Sequence, residues 1–164
     1  MPLIAVAAGC GLKETGEGPP AHPGNIDAPR SLLVTPGDIR GAGAGSPYGV
    51  VLRWWRALQR GSVPGVRRIY GGAVGAREAR REIHEFAPRF SQPVEPDTQR
   101  HRDHATVDVV VRSAVRLGDI PGVVNVQDLP VSFALDRGST GWRLRPGAFA
   151  RYRNARFDAI AHID

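Results

Sequence analysis

The 164-residue chain has little of several residue types, and each shortage excludes a class of protein. Its one cysteine, Cys10, allows no disulfide within the chain and no zinc site built on several cysteines. It contains no run of about 18 apolar residues, so the sequence predicts no membrane-spanning helix. Lys13 is the single lysine among 22 basic residues. Hydrophobic residues make up 41% of the chain, which is enough for a core and disfavours wholesale disorder.

The net charge of +6 is unevenly spread. Residues 1–48 contain three basic and four acidic residues, whereas residues 49–164 contain 19 basic and 12 acidic ones. The arginines form one group in the predicted helical half and another that begins at Arg143. Arginine binds phosphate bidentately, so nucleic acid and anionic surfaces are candidate partners. No nucleic-acid motif is present, which disfavours nucleic acid as the partner. A GC-rich coding bias alone favours arginine over lysine, so the charge is only weak support for an anionic surface.

The first ten residues are apolar and end in small residues before the cysteine. Ala7-Ala8-Gly9-Cys10 resembles the lipobox of bacterial lipoproteins, in which the cysteine after the cleavage site receives diacylglycerol. The usual leucine or valine is replaced by Ala7, and no basic residue precedes the apolar stretch; a start codon upstream of Met1 would account for both. The resemblance implies lipid attachment at Cys10 and a place in the cell envelope, at the outer face of the cytoplasmic membrane, or secretion. A free thiol on an apolar N-terminus is the alternative.

Glycine and proline dominate the segment that follows. They account for 15 of the 39 residues from 11 to 49. Such a segment buries too little apolar surface to offset the entropy of ordering it, although Ser31–Val34 could dock on a folded domain. The sequence therefore predicts three parts. They are a signal-peptide remnant over residues 1–10, a tether over 11–45 and one folded domain over 46–164.

Residue periodicity predicts helices at the start of this domain. Ser46 and Pro47 are typical of a helix start, and an apolar stripe follows at helical spacing. The stripe consists of Val51, Trp54, Trp55 and Leu58. A second helix is predicted after Ser62 and a third over residues 76–87, with Glu82 expected on the exposed face of the third.

Further along the chain the period changes to two. Apolar and polar residues alternate over residues 105–117, which is typical of a strand with one buried face. Further strands are predicted over residues 123–128, 131–136 and 142–145. Pro130 is expected to interrupt the strand that begins at residue 123, which indicates a sheet edge or a bulge there. Residues 149–156 are predicted as a last strand or a closing segment. Helices followed by antiparallel strands predict an α+β domain.

Several of these motifs resemble the nuclear transport factor 2-like domains. Residues 46–48, 54–61 and 66–70 resemble their opening, in which a long helix, a glycine turn and a second helix end in tyrosine. Gly141-Trp142-Arg143-Leu144 resembles their last hairpin, and the whole resemblance covers residues 46–157. It implies a cone in which N-terminal helices pack in a curved antiparallel sheet and leave an apolar pocket. Members include isomerases, dehydratases, epoxide hydrolases, transport adaptors and exported domains, so the family does not settle the function.

The resemblance also implies where chemistry would lie. Enzymes of this family use carboxylate, histidine or tyrosine side chains that project into the pocket, such as an aspartate base with a tyrosine or a His–Asp pair. Asp108, His104 and Tyr70 are therefore the candidate catalytic residues. An ion pair with Arg112 and Arg116 is the plainer prediction for Asp108, and a polar surface loop is the plainer one for His104. No metal site and no cofactor are predicted.

Four residues are candidates for the wall of the pocket. Trp54 and Trp55 could stack on a ligand or fill the core, and Asn125 and Gln127 could hydrogen-bond a ligand or lie beside a bulge. The leading hypothesis is an exported, lipid-anchored domain that binds a small apolar ligand or a partner protein and that could dimerise through its sheet. An enzyme of the same fold and a basic nucleic-acid-binding protein are the alternatives; whether it is an enzyme stays open, with a binding role favoured.

Overall fold

The structure is a computed structural model that describes residues 32–86, 91–116 and 124–161, without the side chains of residues 114–127 and 159–161. The helices before the sheet are α1 (Pro36–Gly41), α2 (Pro47–Gln59), α3 (Val63–Ile69) and α4 (Ala76–Glu85). The strands are β1 (Ser91–Arg100), β2 (His104–Arg116), β3 (Val124–Gly138) and β4 (Gly141–Leu144), and they are followed by α5 (Ala148–Ala161). All neighbouring strands are antiparallel, in the order β1-β2-β3-β4. The predicted α+β class, with N-terminal helices on an antiparallel sheet, is confirmed.

The long helix α2 forms as its sequence predicts. Ser46 caps it by accepting a hydrogen bond from the Gly49 amide at 2.9 Å, and Pro47 occupies the first turn, where no amide hydrogen is needed. Its apolar stripe is buried in the core against the sheet. The helix therefore presents its other side, which carries arginines, to the surface.

Strand β2 divides the sheet into two faces. Ala105, Val107, Val109 and Val111 are buried on the inner face, which packs on the helices. The intervening residues from Thr106 to Arg112 are less buried and define the outer face. The period of two in the sequence thus matches the division between core and surface.

Strand β1 was not among the predicted strands. It contains Pro93 and Pro96, and its register with β2 shifts between Val94 and Asp97, where Glu95 has a φ of 52°. Proline has no amide hydrogen to donate, but an edge strand with a bulge accommodates it. The prolines therefore obscured a strand that lies at the edge of the sheet.

Two predictions in the second half of the domain are corrected. Pro130 does not interrupt its strand, because β3 runs continuously and pairs Pro130 with Val110. β4 pairs only with residues 135–138 of β3, so Pro130 has one neighbouring strand among those described. Residues 149–156 form part of α5, so the predicted strand is wrong and the alternative of a closing segment stands; this helix buries Phe149 and Tyr152.

Part of the predicted tether belongs to the folded domain. Val34 is buried, and its amide donates to Gln59 Oε1 at 3.0 Å, while Ile39 of α1 joins the same core. Thr35 and Asp38 form a capping box that starts α1. Residues 32–45 therefore belong to the folded domain, which begins before the predicted boundary at residue 45. The rest of the predicted tether and the predicted signal-peptide remnant lie outside the described residues. None of the helices in the described ranges has the length and apolar character to cross a membrane.

Candidate functional site

Aromatic side chains fill the interior between α2, the sheet and α5. Trp54 and Trp55 are 0% exposed, and their ring centroids lie 5.5 Å from Phe133 and 5.0 Å from Tyr152, respectively. The Trp55 indole also donates to the Ser91 carbonyl at 2.8 Å. The structure thus places the two tryptophans predicted for a pocket wall in the core, and neither lines the surface pockets described below.

One carboxyl group is buried beside this interior. Glu82 of α4 is 3% exposed, and the Tyr70 hydroxyl donates to its two oxygens at 3.1 and 3.2 Å. Burial raises the pKa of Glu82 to about 7, although the hydrogen bond from Tyr70 and the nearby Trp54 indole act in the opposite direction. The Trp54 Nε1–H lies near Glu82 but has no hydrogen-bond partner within bonding distance and angle among the described residues. Burial first, and then the charge of Glu82, raise the pKa of Tyr70 far above its usual value, so the phenol remains a donor.

Glu82 was predicted on the exposed face of its helix, and that prediction is wrong. It follows the buried Ala79 by three residues and precedes the buried Phe86 by four, so helical spacing places it on the core face. This spacing is the signal that could have found it. Neither Glu82 nor Tyr70 lines a surface pocket described below, so the pair is a closed polar contact inside the fold.

The candidate His104 lies on the outer face of the sheet. Its Nδ1 is 2.7 Å from Asp136 Oδ1, and the Arg145 guanidinium binds the same carboxylate at 2.6 Å. Hydrogen bonding from Arg145, and to a lesser degree from His104, lowers the pKa of Asp136. The His104 side chain is 62% exposed, so this His–Asp pair is open to water.

Asp108 also lies on the outer face, with a different partner from the predicted one. It accepts a hydrogen bond from Ser132, which stands directly opposite it on β3. Arg112 stands opposite Asp128 instead and pairs with that carboxylate at 2.9 Å. The predicted ion pair between Asp108 and Arg112 is corrected, because strand register favours the cross-strand partner, and the side chain of Arg116, the other predicted partner, lies outside the described residues.

The remaining candidate residues are placed only in part. Asn125 and Gln127 pair with Val115 and Ser113 across β2 and β3, but their side chains lie outside the described residues, as does Cys10. Asp108, His104 and Tyr70 do not converge, since the first two lie on the outer face and the third is in the core. Within the described residues, no group of three or more His, Cys, Asp or Glu side chains could hold a metal ion.

A surface pocket of about 590 Å³ is lined by five arginines and is called the arginine pocket here. The arginines are Arg53 and Arg56 of α2, Arg60 at the C-cap of α2, Arg68 of α3 and Arg143 of β4. The other lining residues are Ile39, Ala57, Ser62, Gly65, Ile69, Gly71, Thr140 and Trp142. No acidic side chain from the described ranges belongs to this lining.

The five guanidinium groups of the arginine pocket have no partner among the described residues. Arg112, Arg145 and Arg153 each pair with a carboxylate elsewhere on the surface. No comparable ion pair or hydrogen bond joins an arginine of the pocket to another described side chain or backbone group. The pocket therefore concentrates positive charge that the described part of the chain leaves unneutralised.

Helix spacing and two glycines position these arginines. Arg53, Arg56 and Arg60 stand three and four residues apart, which places them along one side of α2. The Arg143 side chain passes so close to Gly71 and Gly138 that a Cβ at either glycine would overlap it. The absence of a side chain at both positions allows Arg143 to lie against the backbone and line the pocket.

Two other surface pockets have carboxylates in their linings. One, of about 500 Å³, lies between α1, α2 and β1 and includes Asp38 and Arg100. The other, of about 620 Å³, lies beside α4 and α5 and includes Glu85, which pairs with Arg153 at 3.2 Å. The arginine pocket differs from both because its lining carries positive charge alone.

The chain was also compared with known proteins. No family model and no curated protein matches it. A solved structure of a proposed dehydratase of the NTF2-like family from Streptomyces avermitilis is similar to it, at 14% identity and a TM-score of 0.43. The match covers 67% of this chain and 93% of that one. At a TM-score below 0.5 the likeness carries no argument, so the ligand and any reaction have to be argued from the residues of this chain.

Proposed function

We propose that this chain is a ligand-binding domain whose ligand is anionic and docks in the arginine pocket. The observation that carries the proposal is the set of five arginines that line one pocket with no carboxylate among them. Five like charges around one pocket repel one another, and no carboxylate in the described lining offsets them. A bound anion would remove that repulsion and form charge-assisted hydrogen bonds with the guanidinium groups.

A binding role accounts for the rest of the structure better than catalysis does. A general acid or base must come within hydrogen-bond reach of a substrate. Glu82 is enclosed in the fold, while His104 and Asp108 lie on the outer face, and none of the three lines the arginine pocket. Aromatic rings also fill the described interior, where an apolar ligand would have to bind. The structure therefore favours an anionic ligand in the arginine pocket over an apolar ligand in the interior.

Replacing Arg143 tests the proposal directly. We expect R143Q to weaken the binding of inorganic pyrophosphate, measured by isothermal titration calorimetry, by about tenfold or more, because it removes a charged hydrogen-bond donor. R53Q, at an exposed position of the same lining, is expected to weaken it as well. Circular dichroism of each variant checks that the fold is retained.

The matched control is R151Q, which removes the same charge from an exposed position of α5 outside the pocket. Its affinity for pyrophosphate should stay within about twofold of the wild type, because a distant exposed charge is screened by salt. Equal losses in R151Q and in the pocket variants would show that the anion responds to net charge alone, and the proposed site would be wrong.

The cellular setting that we propose is the cell envelope, with a lipid on Cys10 as the membrane anchor. Ala7-Ala8-Gly9-Cys10 and the glycine- and proline-rich residues that follow support this setting. A lipid-anchored domain would hold the arginine pocket near a membrane surface without a spanning helix. Residues 32–45 pack on the domain. In this proposal the tether therefore consists of the residues between Cys10 and residue 32.

Lipid attachment has its own test. The gene, expressed with its upstream sequence in a bacterial host supplied with an alkyne-labelled fatty acid, should yield a labelled protein in the membrane fraction. C10S should lose the label and move to the soluble fraction, because the thiol that carries the lipid is absent. Wild-type protein that takes up no label would contradict the lipoprotein hypothesis and leave the arginine pocket unaffected.

A further inference from the structure

The arrangement of the arginines indicates how many anionic groups the ligand carries. Arg53, Arg56 and Arg60 extend over about 10 Å along α2, at 1.5 Å per helical residue. Arg68 and Arg143 line the same pocket from α3 and β4, so the guanidinium groups come from three different elements. The charged side chains therefore enter the pocket from separate backbone positions on three elements of the fold rather than from one point.

A single phosphate group is too small for this arrangement. A phosphate monoester offers three terminal oxygens, and one guanidinium can take two oxygens in a bidentate pair. Because each oxygen can accept more than one hydrogen bond, one phosphate pairs with about two or three guanidinium groups, and the others of the five would remain unpaired. Two linked phosphate groups would use the arginines of α2 together with Arg143.

The pocket also has an apolar part. Ile39, Ile69 and Trp142 belong to its lining, and the Trp142 ring is half-buried. The Arg137 guanidinium lies 5.8 Å from the centre of that ring and holds it by a cation–π contact. An inorganic anion would leave this apolar surface in water, whereas an organic group attached to the anion would bury it.

A hydroxyl group beside the arginines adds a neutral donor. Ser62 Oγ accepts a hydrogen bond from the Gly65 amide at 3.2 Å, which leaves its own O–H free to donate to a ligand oxygen. Charged donors, a neutral donor and an apolar wall therefore line a single pocket. Together they match an anion with several oxygens and an organic group at one end.

We propose that the arginine pocket binds a diphosphate ester, with the phosphates on the arginines and the organic group against Trp142, Ile39 and Ile69. This inference rests on the proposed function, because it specifies the anion that the pocket takes. Two sources share this chemistry, a soluble nucleoside diphosphate and an isoprenoid diphosphate. They differ in the organic group, which is a flat polar ring system in the first and an aliphatic chain in the second.

Calorimetric titrations at constant ionic strength test the proposal with four probes, which are inorganic phosphate, inorganic pyrophosphate, adenosine diphosphate and geranyl diphosphate. We expect at least one of the two esters to bind about tenfold or more tightly than phosphate, because it pairs with more guanidinium groups. The same ester should bind more tightly than pyrophosphate. Whichever ester binds more tightly identifies the source, and either result supports the proposal.

Two variants separate the contributions of the anion and of the organic group. R56Q should weaken pyrophosphate and the preferred ester alike, whereas W142L should weaken the ester and leave pyrophosphate within about twofold, since only the ester loses an aromatic contact. If phosphate bound as tightly as both esters and R143Q still weakened it, the diphosphate inference would be overturned while the proposed function stood. If no probe depended on the pocket arginines, both would be overturned.

Discussion

Replacing Trp55 with alanine is expected to lower the free energy of unfolding by about 3–5 kcal/mol, the range typical of large aromatic side chains removed from a core. The Trp55 ring is 0% exposed and lies 5.2 Å from Phe86 and 5.0 Å from Tyr152 between ring centroids. The variant also leaves the Ser91 carbonyl without the indole donor at 2.8 Å. Urea unfolding followed by circular dichroism measures the loss.

The matched control for W55A is W142A, which removes the same side chain from a half-buried position on β4. Less apolar surface is buried there, so we expect less than half the loss of stability. A W55A variant that lost no more than about 1 kcal/mol would show that the ring lines an open space. The interpretation of the interior as filled core would then be wrong, and the sequence-based prediction of a ligand-facing tryptophan would regain support.

The second large effect is a dependence of stability on pH that originates at Glu82. Burial raises the pKa of this carboxyl group from 4.5 to about 7 in the folded protein. Between these two values the folded state holds a proton that the unfolded chain has released, so the contribution of Glu82 to stability is greatest below pH 4.5 and is lost as the pH rises through about 7. The full difference corresponds to roughly 3 kcal/mol.

Substitution of Glu82 isolates this contribution from the other titrating groups. E82Q keeps a hydrogen-bond acceptor for Tyr70 but cannot ionise, so its stability should fall less than that of the wild type between pH 5 and pH 8. The control E85Q lies on the same helix with its side chain 34% exposed, and Glu85 is not among the groups that shift the pKa of Glu82, so this variant should leave the wild-type dependence intact. An E82Q protein that lost stability between these pH values as steeply as the wild type would contradict the assignment.

The sequence predicted those elements whose periodicity follows burial directly. Helix α2 has a cap, a proline in its first turn and an apolar stripe, and the inner face of β2 alternates with its outer face. β1 was missed because Pro93 and Pro96 obscure an edge strand that tertiary pairing stabilises. α5 was left open between a strand and a closing segment, since apolar spacing over a short stretch does not separate the two.

The residues of the candidate site could be predicted from local sequence patterns to a much smaller extent than the helices and strands. Residue types and a family resemblance singled out His104, Asp108 and Tyr70, which the structure places on the outer face and in the core. The sequence showed two groups of arginines, but it gave no sign that Arg143 meets the arginines of α2. That meeting depends on the packing of β4 beside α2 and on the space left by two glycines, which are features of tertiary structure.

The most direct test of the central claim is a crystal structure of the protein grown with inorganic pyrophosphate at a concentration that calorimetry shows to be saturating. We predict pyrophosphate in the arginine pocket, with its oxygens within hydrogen-bond distance of Arg143 and of at least one arginine of α2. Pyrophosphate bound on the outer face of the sheet, with the arginine pocket empty in the same crystal, would contradict the account.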